Sequence, residues 1–126
     1  MALQGKGFYI WKIPYCENGD PEAIANEALK AGLTHVLVKI ADGGSAYNIS
    51  INGQDLVPPV VQALQQRNVH VWGWHYVYGY DPVKEANIAI KRIQETGVEG
   101  YVIDAESQYE ESGKDAAARL FMDLLR

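Results

Sequence analysis

An α/β fold built on parallel strands is the class this chain predicts, and two observations carry the expectation. Apolar runs near positions 8–13, 35–41, 69–77 and 100–105 alternate with segments that carry helix start and stop signals. Short strand–helix–strand connections of this kind force parallel pairing with right-handed crossovers. The second observation is that polar side chains collect at the C-terminal ends of these runs, where (βα)8 barrels keep their functional residues. Together they favour a (βα)4 half TIM barrel. An open flavodoxin-like sheet is the other architecture such alternation allows. It normally has five strands and a phosphate-binding loop after the first, whereas Pro14-Tyr15-Cys16-Glu17-Asn18-Gly19 offers one glycine and an acid, a poor phosphate cradle.

The first strand is Phe8-Tyr9-Ile10-Trp11-Lys12-Ile13, ended by Pro14. Asp20-Pro21-Glu22 then supplies an N-cap acceptor, a proline at the first helical position and an acid in the first turn. Ala25, Ala28 and Leu29 form that helix's apolar stripe, and Gly32 closes it. His35 to Ala41 is nearly continuous apolar sequence, as expected of a strand covered on both faces. After a glycine-rich loop from Asp42 to Gly53, the second helix is predicted over Asp55 to Arg67, with Pro58 and Pro59 tolerated only in its first turn. Val69 to Val77 makes the third strand. Asp81-Pro82 repeats the helix start, and Gly97 ends that helix. The fourth strand, Gly100-Tyr101-Val102-Ile103-Asp104-Ala105, leads through Glu106 to a helix from about Lys114 to the last residue.

The composition excludes several function classes. A chain of 126 residues with 48% hydrophobic content is one domain with a real core. Net charge is −5 and the basic residues are scattered, which argues against nucleic acid and anionic membrane as partners. Cys16 is the lone cysteine, so no disulfide framework or thiolate metal cluster is expected, and no cofactor is implied. His75 has no second His or Cys at ligand spacing, so a transition-metal site is not expected. The N-terminus carries no signal-peptide pattern and no window approaches a membrane span. A soluble, cytoplasmic protein, or a piece of a longer one, is the default expectation. Asn48-Ile49-Ser50 matches a glycosylation acceptor, a triplet common by chance.

The chemistry-bearing stretch is Gly100 to Glu106. Strand alternation points Asp104 and Glu106 the same way, roughly 6–7 Å apart. Two ionised carboxylates at the end of a buried strand are costly without partners. Three groups follow one another along the chain: Lys39-Ile40-Ala41-Asp42-Gly43, then Gly73-Trp74-His75-Tyr76 with Asp81-Pro82 downstream, then Ile103-Asp104-Ala105-Glu106. In this order and spacing the chain resembles the N-terminal half of the family 25 glycoside hydrolase-like TIM barrels, the lysozyme-type muramidases and their relatives, over roughly residues 7 to 110.

The resemblance implies a glycan-active protein. Glu106 would match the general acid and Asp104 the carboxylate that stabilises charge at the reacting sugar. Asp42, Trp74, His75 and Tyr76 would line the sugar cleft. An acid with a raised pKa beside an ionised carboxylate is what glycoside cleavage requires. The family's first strand begins Gly-x-Asp, whereas Gly7-Phe8-Tyr9 puts Tyr9 at that substrate-facing position. The second half of the barrel, with a further carboxylate, is also missing. An incomplete or vestigial site is therefore expected, and a non-catalytic, self-assembling scaffold, natural or engineered, is the alternative.

Other roles stay open from sequence. Lys39 is either a substrate contact or a buried lysine paired to Asp104 or Glu106. Alternation puts it opposite Asp42 unless the strand end bends. His75 is more readily a hydrogen-bonded core residue than a base. Trp72, Trp74, Tyr76 and Tyr78 share one face, where packing under helices is the expected job; Tyr47, Tyr78 and Tyr80 are better sugar platforms. Four parallel strands leave unpaired edges on strands one and four and an exposed inner face. Twofold pairing of such edges closes an eight-stranded barrel, so a homodimer, with higher assembly through helix faces, is expected.

Overall fold

A computed structural model describes residues 4–110 and 114–126. Strand β1 (Gly7–Ile10) is followed by α1 (Pro21–Lys30), β2 (His35–Asp42), the two-residue β3 (Ser45–Ala46), α2 (Val57–Gln65), β4 (His70–Val77), α3 (Pro82–Thr96), β5 (Gly100–Ala105) and α4 (Lys114–Leu125). The sheet runs β1-β2-β4-β5, in chain order and parallel throughout, with β3 folded back antiparallel on β2. Helix α1 packs on α2, α2 on α3 and α3 on α4, so the helices form one layer on one face of the sheet. This arrangement is compatible with a half barrel and lacks the reversal of strand order found in doubly wound sheets.

The punctuation read from sequence acts where expected. Asp20 accepts from the Glu22 amide at 3.1 Å and Asp81 from the Lys84 amide at 3.1 Å, each just ahead of a proline at the helix start. Gly97 closes α3 at φ 82°, a conformation that costs glycine little. Between sheet and helices, Ile10, Val36, Val38, Ile40 and Val71 meet Ile24, Ala25, Val57, Val60, Val61 and Leu64. A second cluster joins Val77, Ala86 and Phe121, under α3 and α4. Each such Val, Leu, Ile or Phe side chain contributes on the order of 1.5–3 kcal/mol by leaving water. Among the described residues, no helix is long and apolar enough to cross a membrane.

Three expectations need correction. The first strand stops at Ile10 rather than Ile13, and Ile13-Pro14-Tyr15 is a 3-10 turn. The buried Asn48 side chain draws the chain off the sheet edge there. It accepts from the Ile13 amide at 2.9 Å and donates to the Trp11 carbonyl at 2.9 Å and the Lys39 carbonyl at 2.8 Å. The second helix begins at Val57, not Asp55, because the Asp55 carboxylate is engaged ahead of it, accepting from the Val57 amide and from Arg92. The third correction concerns Trp72, Trp74 and Tyr76, which lie on the face opposite the helices. Their strand neighbours Val71, Gly73, His75 and Val77 take the helix side. Gly73 leaves room there for the end of the Ile40 side chain, which a Cβ would meet at 2.6 Å and displace.

Strand β2 contains the irregularity that shapes everything at its C-terminal end. The register with β4 slips between Lys39 and Ala41, a bulge at Ile40. The Ile40 carbonyl accepts from the Tyr47 amide at 2.9 Å and from the Arg92 Nε at 2.7 Å. Arg92, fully buried on α3, also donates from Nη1 to Asp55 at 2.6 Å and Glu95 at 2.9 Å, and from Nη2 to the Tyr47 carbonyl at 3.0 Å and Asp55 at 3.1 Å. Every guanidinium proton is thus engaged. Burial disfavours its charge, but the hydrogen bonds it donates to Asp55 and Glu95, with their charges, outweigh that and hold its pKa above the ordinary value.

Replacing Arg92 by Met keeps much of the side chain's bulk but strands the Asp55 carboxylate. The Arg92→Met variant is expected to lose about 3–5 kcal/mol of unfolding free energy, measured by urea denaturation, as for other broken buried ion pairs. A loss below about 1 kcal/mol, the range of surface ion pairs, would contradict the clamp's role.

Candidate functional site

The C-terminal strand ends bring the sequence-singled residues into two rows across the helix-free face. Lys39 stands beside Trp74 and Trp74 beside Val102; Asp42 stands beside Tyr76 and Tyr76 beside Asp104. The bulge is what puts Lys39 and Asp42 on one side despite their opposite parity. Their charges meet at 3.4 Å, between Lys39 Nζ and Asp42 Oδ1, with the lysine side chain only 5% exposed. Lys39 is therefore paired to Asp42 and not to Asp104 or Glu106. Its ammonium also lies 4.1 Å from the Tyr47 ring centre, 5.1 Å from Trp74, 5.3 Å from Trp11 and 5.9 Å from Tyr76. Ring faces of this kind favour a desolvated cation.

Hydroxyl donors fix the surrounding rings. Tyr78 donates to Asp42 Oδ1 at 2.9 Å, and burial, reinforced by that carboxylate, pushes its pKa up to about 12. Tyr76 donates to Gln108 Oε1 at 2.8 Å. The Trp74 indole donates to the Ile10 carbonyl at 3.1 Å, and Tyr9 meets its ring edge-on at 6.1 Å. Trp11, Lys12, Lys39, Asp42, Tyr47, Tyr76, Tyr78 and Gln108 enclose an open cavity of about 370 Å³. A second hollow of about 490 Å³ adjoins it through Lys12 and Tyr47 and extends over Pro14, Tyr15, Ile49 and Leu56. Tyr80 stacks on Tyr78 at 6.5 Å and sits 3.6 Å from Lys114 Nζ, at the outer side of this wall.

The acid pair stands one strand further over. Asp104 is half-buried at the end of β5, while Glu106 is exposed just beyond it. A hydrogen bond to Asp104 and that group's charge hold the Glu106 carboxyl above the usual pKa range. Glu106 thus keeps its proton to higher pH than an isolated glutamate, the direction a general acid needs.

His75 is separated from these groups. It lies on the helix face, fully buried, against Phe121 at 6.2 Å. Nε2 is 2.7 Å from the Gly43 carbonyl, so that nitrogen carries the proton, and Nδ1 accepts from the Tyr101 hydroxyl at 2.7 Å. Burial lowers its pKa. A neutral imidazole with both nitrogens engaged holds the β2–β3 turn and does not line the cleft.

Sequence reasoning did not assign Trp11, Lys12 or Gln108 to the site. Trp11 shares the alternation of Tyr9 and follows the end of β1, a position that pointed to the mouth. Gln108 has no comparable signal, because the 3-10 turn from Ser107 to Glu110 brings it back over Tyr76. Asn48 is not a sugar acceptor in this fold, since its amide nitrogen is buried and donates to two backbone carbonyls. Among the described residues, no group of three or more His, Cys, Asp or Glu could hold a metal ion. Comparison with protein-family models, curated proteins and solved structures returned no match.

Removing the Asp104 charge should release Glu106. In Asp104→Ala, the Glu106 carboxyl titration, followed by carbon-detected NMR, is expected to move down toward the ordinary glutamate midpoint. An unchanged midpoint would show that the two carboxyls do not interact.

Proposed function

We propose that this chain is a glycan-active half barrel of the kind found in family 25 glycoside hydrolases, with an incomplete catalytic set. The observation that carries this reading is the Asp104/Glu106 pair, two carboxyls in hydrogen-bond contact that raises the Glu106 pKa, next to an aromatic-walled cavity. Glu106 donates its proton to the glycosidic oxygen as the bond from that oxygen to the sugar carbon breaks. Asp104 stabilises the positive charge left on the sugar. Ring faces of Tyr9 and Tyr76 suit the C–H surface of a pyranose. Tyr9 occupies the place of the family's first-strand carboxylate, so the site is better equipped to bind a glycan than to cleave it fast.

The same reading includes a second copy of the chain. Phe8, Tyr9 and Trp11 are 55%, 58% and 60% exposed along the unpaired edge of β1. The buried Trp72 indole N–H, on the helix-free face, has no acceptor among the described residues. Pairing β5 of one copy with β1 of the other, twice, covers both edges and closes an eight-stranded barrel. These exposed aromatics also favour the second reading, a self-assembling scaffold without chemistry.

A peptidoglycan-release assay separates the two. The wild-type chain is expected to release soluble fragments at a rate that falls to background in Glu106→Gln. Equal signals from both proteins would end the catalytic claim and leave the scaffold.

A further inference from the structure

The cavity at the mouth has an imbalance of charge that sugar hydroxyls alone do not use. Its lining contains two ammonium groups and one carboxylate, in a chain whose net charge is −5. Both ammoniums flank one indole: Lys12 Nζ lies 5.7 Å from the Trp11 ring centre and Lys39 Nζ 5.3 Å. Asp42, the one carboxylate, already receives the Tyr78 hydroxyl and faces Lys39 at 3.4 Å, a long contact for a hydrogen bond. An ammonium has three protons to give. Those of Lys39 otherwise meet ring faces and the cavity. Gln108 accepts from Tyr76 through Oε1, which leaves its NH2 group as the donor available to a ligand. The acid pair lies on the β5 side of this lining, where Asp104 stands beside Tyr76, while both ammoniums come from the β1–β2 side.

We infer that this cavity recognises the carboxylate of an acidic sugar, a hexuronate, seated between Lys12 and Lys39 beside Trp11. This deepens the glycan reading and rests on it for the sugar, while the anion site stands on the lysines alone. A cavity of about 370 Å³ suits a single sugar ring, with Tyr47, Tyr76 and Tyr78 as walls. An anion bound here gains charge-assisted hydrogen bonds from a largely buried ammonium, which are stronger than those between neutral groups. The uronate carboxylate lies toward β1 and the Asp104/Glu106 pair toward β5. The two negative regions are thereby kept on opposite sides of the mouth.

The test is an NMR titration of the full chain at neutral pH and low salt with glucuronate, glucose and acetate in parallel. Glucuronate is expected to shift the Trp11, Tyr47 and Gln108 signals and to bind about tenfold or more tightly than glucose. That preference should disappear in Lys39→Met. Lys12→Ala, a change at an exposed side chain, should reduce it without disturbing the fold. Glucose binding as tightly as glucuronate at these residues overturns the anion site and leaves the glycan reading intact. Acetate binding as tightly as glucuronate supports the anion site and counts against the sugar. No shift with any of the three overturns the inference, independently of the outcome with Glu106→Gln.

Discussion

The Arg92 guanidinium is the constraint on which the functional end of this molecule depends. A buried charge of this size is tolerated only when its protons are satisfied and its charge is countered. Here one side chain on α3 reaches the Ile40 carbonyl, the Tyr47 carbonyl and the Asp55 carboxylate, tying together β2, the loop after β3 and the start of α2. The strand cannot remain regular under that tie, since the Ile40 carbonyl is taken by Arg92 and by the Tyr47 amide. The bulge that results turns Lys39 and Asp42 to one side. Asn48 repeats the device on the other flank, pinning the exit of β1 to the Lys39 carbonyl. Two buried polar side chains therefore set the position of the buried lysine, whose ammonium faces the cavity.

Much of the fold was legible because its signals are local. Asp-Pro at two helix starts, glycine at the helix ends and runs of Val, Ile and Leu needed no tertiary information to read. The parallel order followed from strand–helix alternation. What escaped was non-local. Periodicity of two says that Trp72, Trp74 and Tyr76 share a face; only the packing of Val71, Val77 and Ile40 against helices decides which one. The bulge has no signature in His35 to Asp42, because its cause lies more than fifty residues away, at Arg92. A signal for Arg92 did exist. Glu85, Ala86, Ala89, Arg92 and Thr96 form the buried stripe of α3, and a charged residue on such a stripe calls for a buried partner. The early end of β1 was hidden for a similar reason, since Asn48 acts there from the far side of β2.

The candidate site divides along the same lines. Asp104 and Glu106 were readable as a pair from strand alternation alone, and they sit together at the end of β5. Lys39, Asp42, Trp74 and Tyr76 stand side by side at the strand ends, and the bulge, which alternation does not reveal, puts Lys39 and Asp42 on one side. The family resemblance drew His75 in with them, whereas the reading of it as a hydrogen-bonded core residue is what the structure shows. The mouth that results has two chemically distinct halves. Toward β1 there are ammonium groups over aromatic faces; toward β5 there are carboxyls, one holding its proton beyond the usual range. Carbohydrate chemistry uses both kinds of surface.

The helix-free face links the site to the question of assembly. It carries the aromatic residues that would hold a ligand and, along β1, the exposed side chains and unpaired backbone groups that single chains seldom leave uncovered. A second copy would satisfy those groups and enclose the mouth. Sedimentation velocity at micromolar concentration tests it most directly. A single species at twice the 14.0 kDa chain mass is expected. A well-folded, non-aggregating species of 14.0 kDa would contradict it, leaving an open sheet whose aromatic face serves some other end.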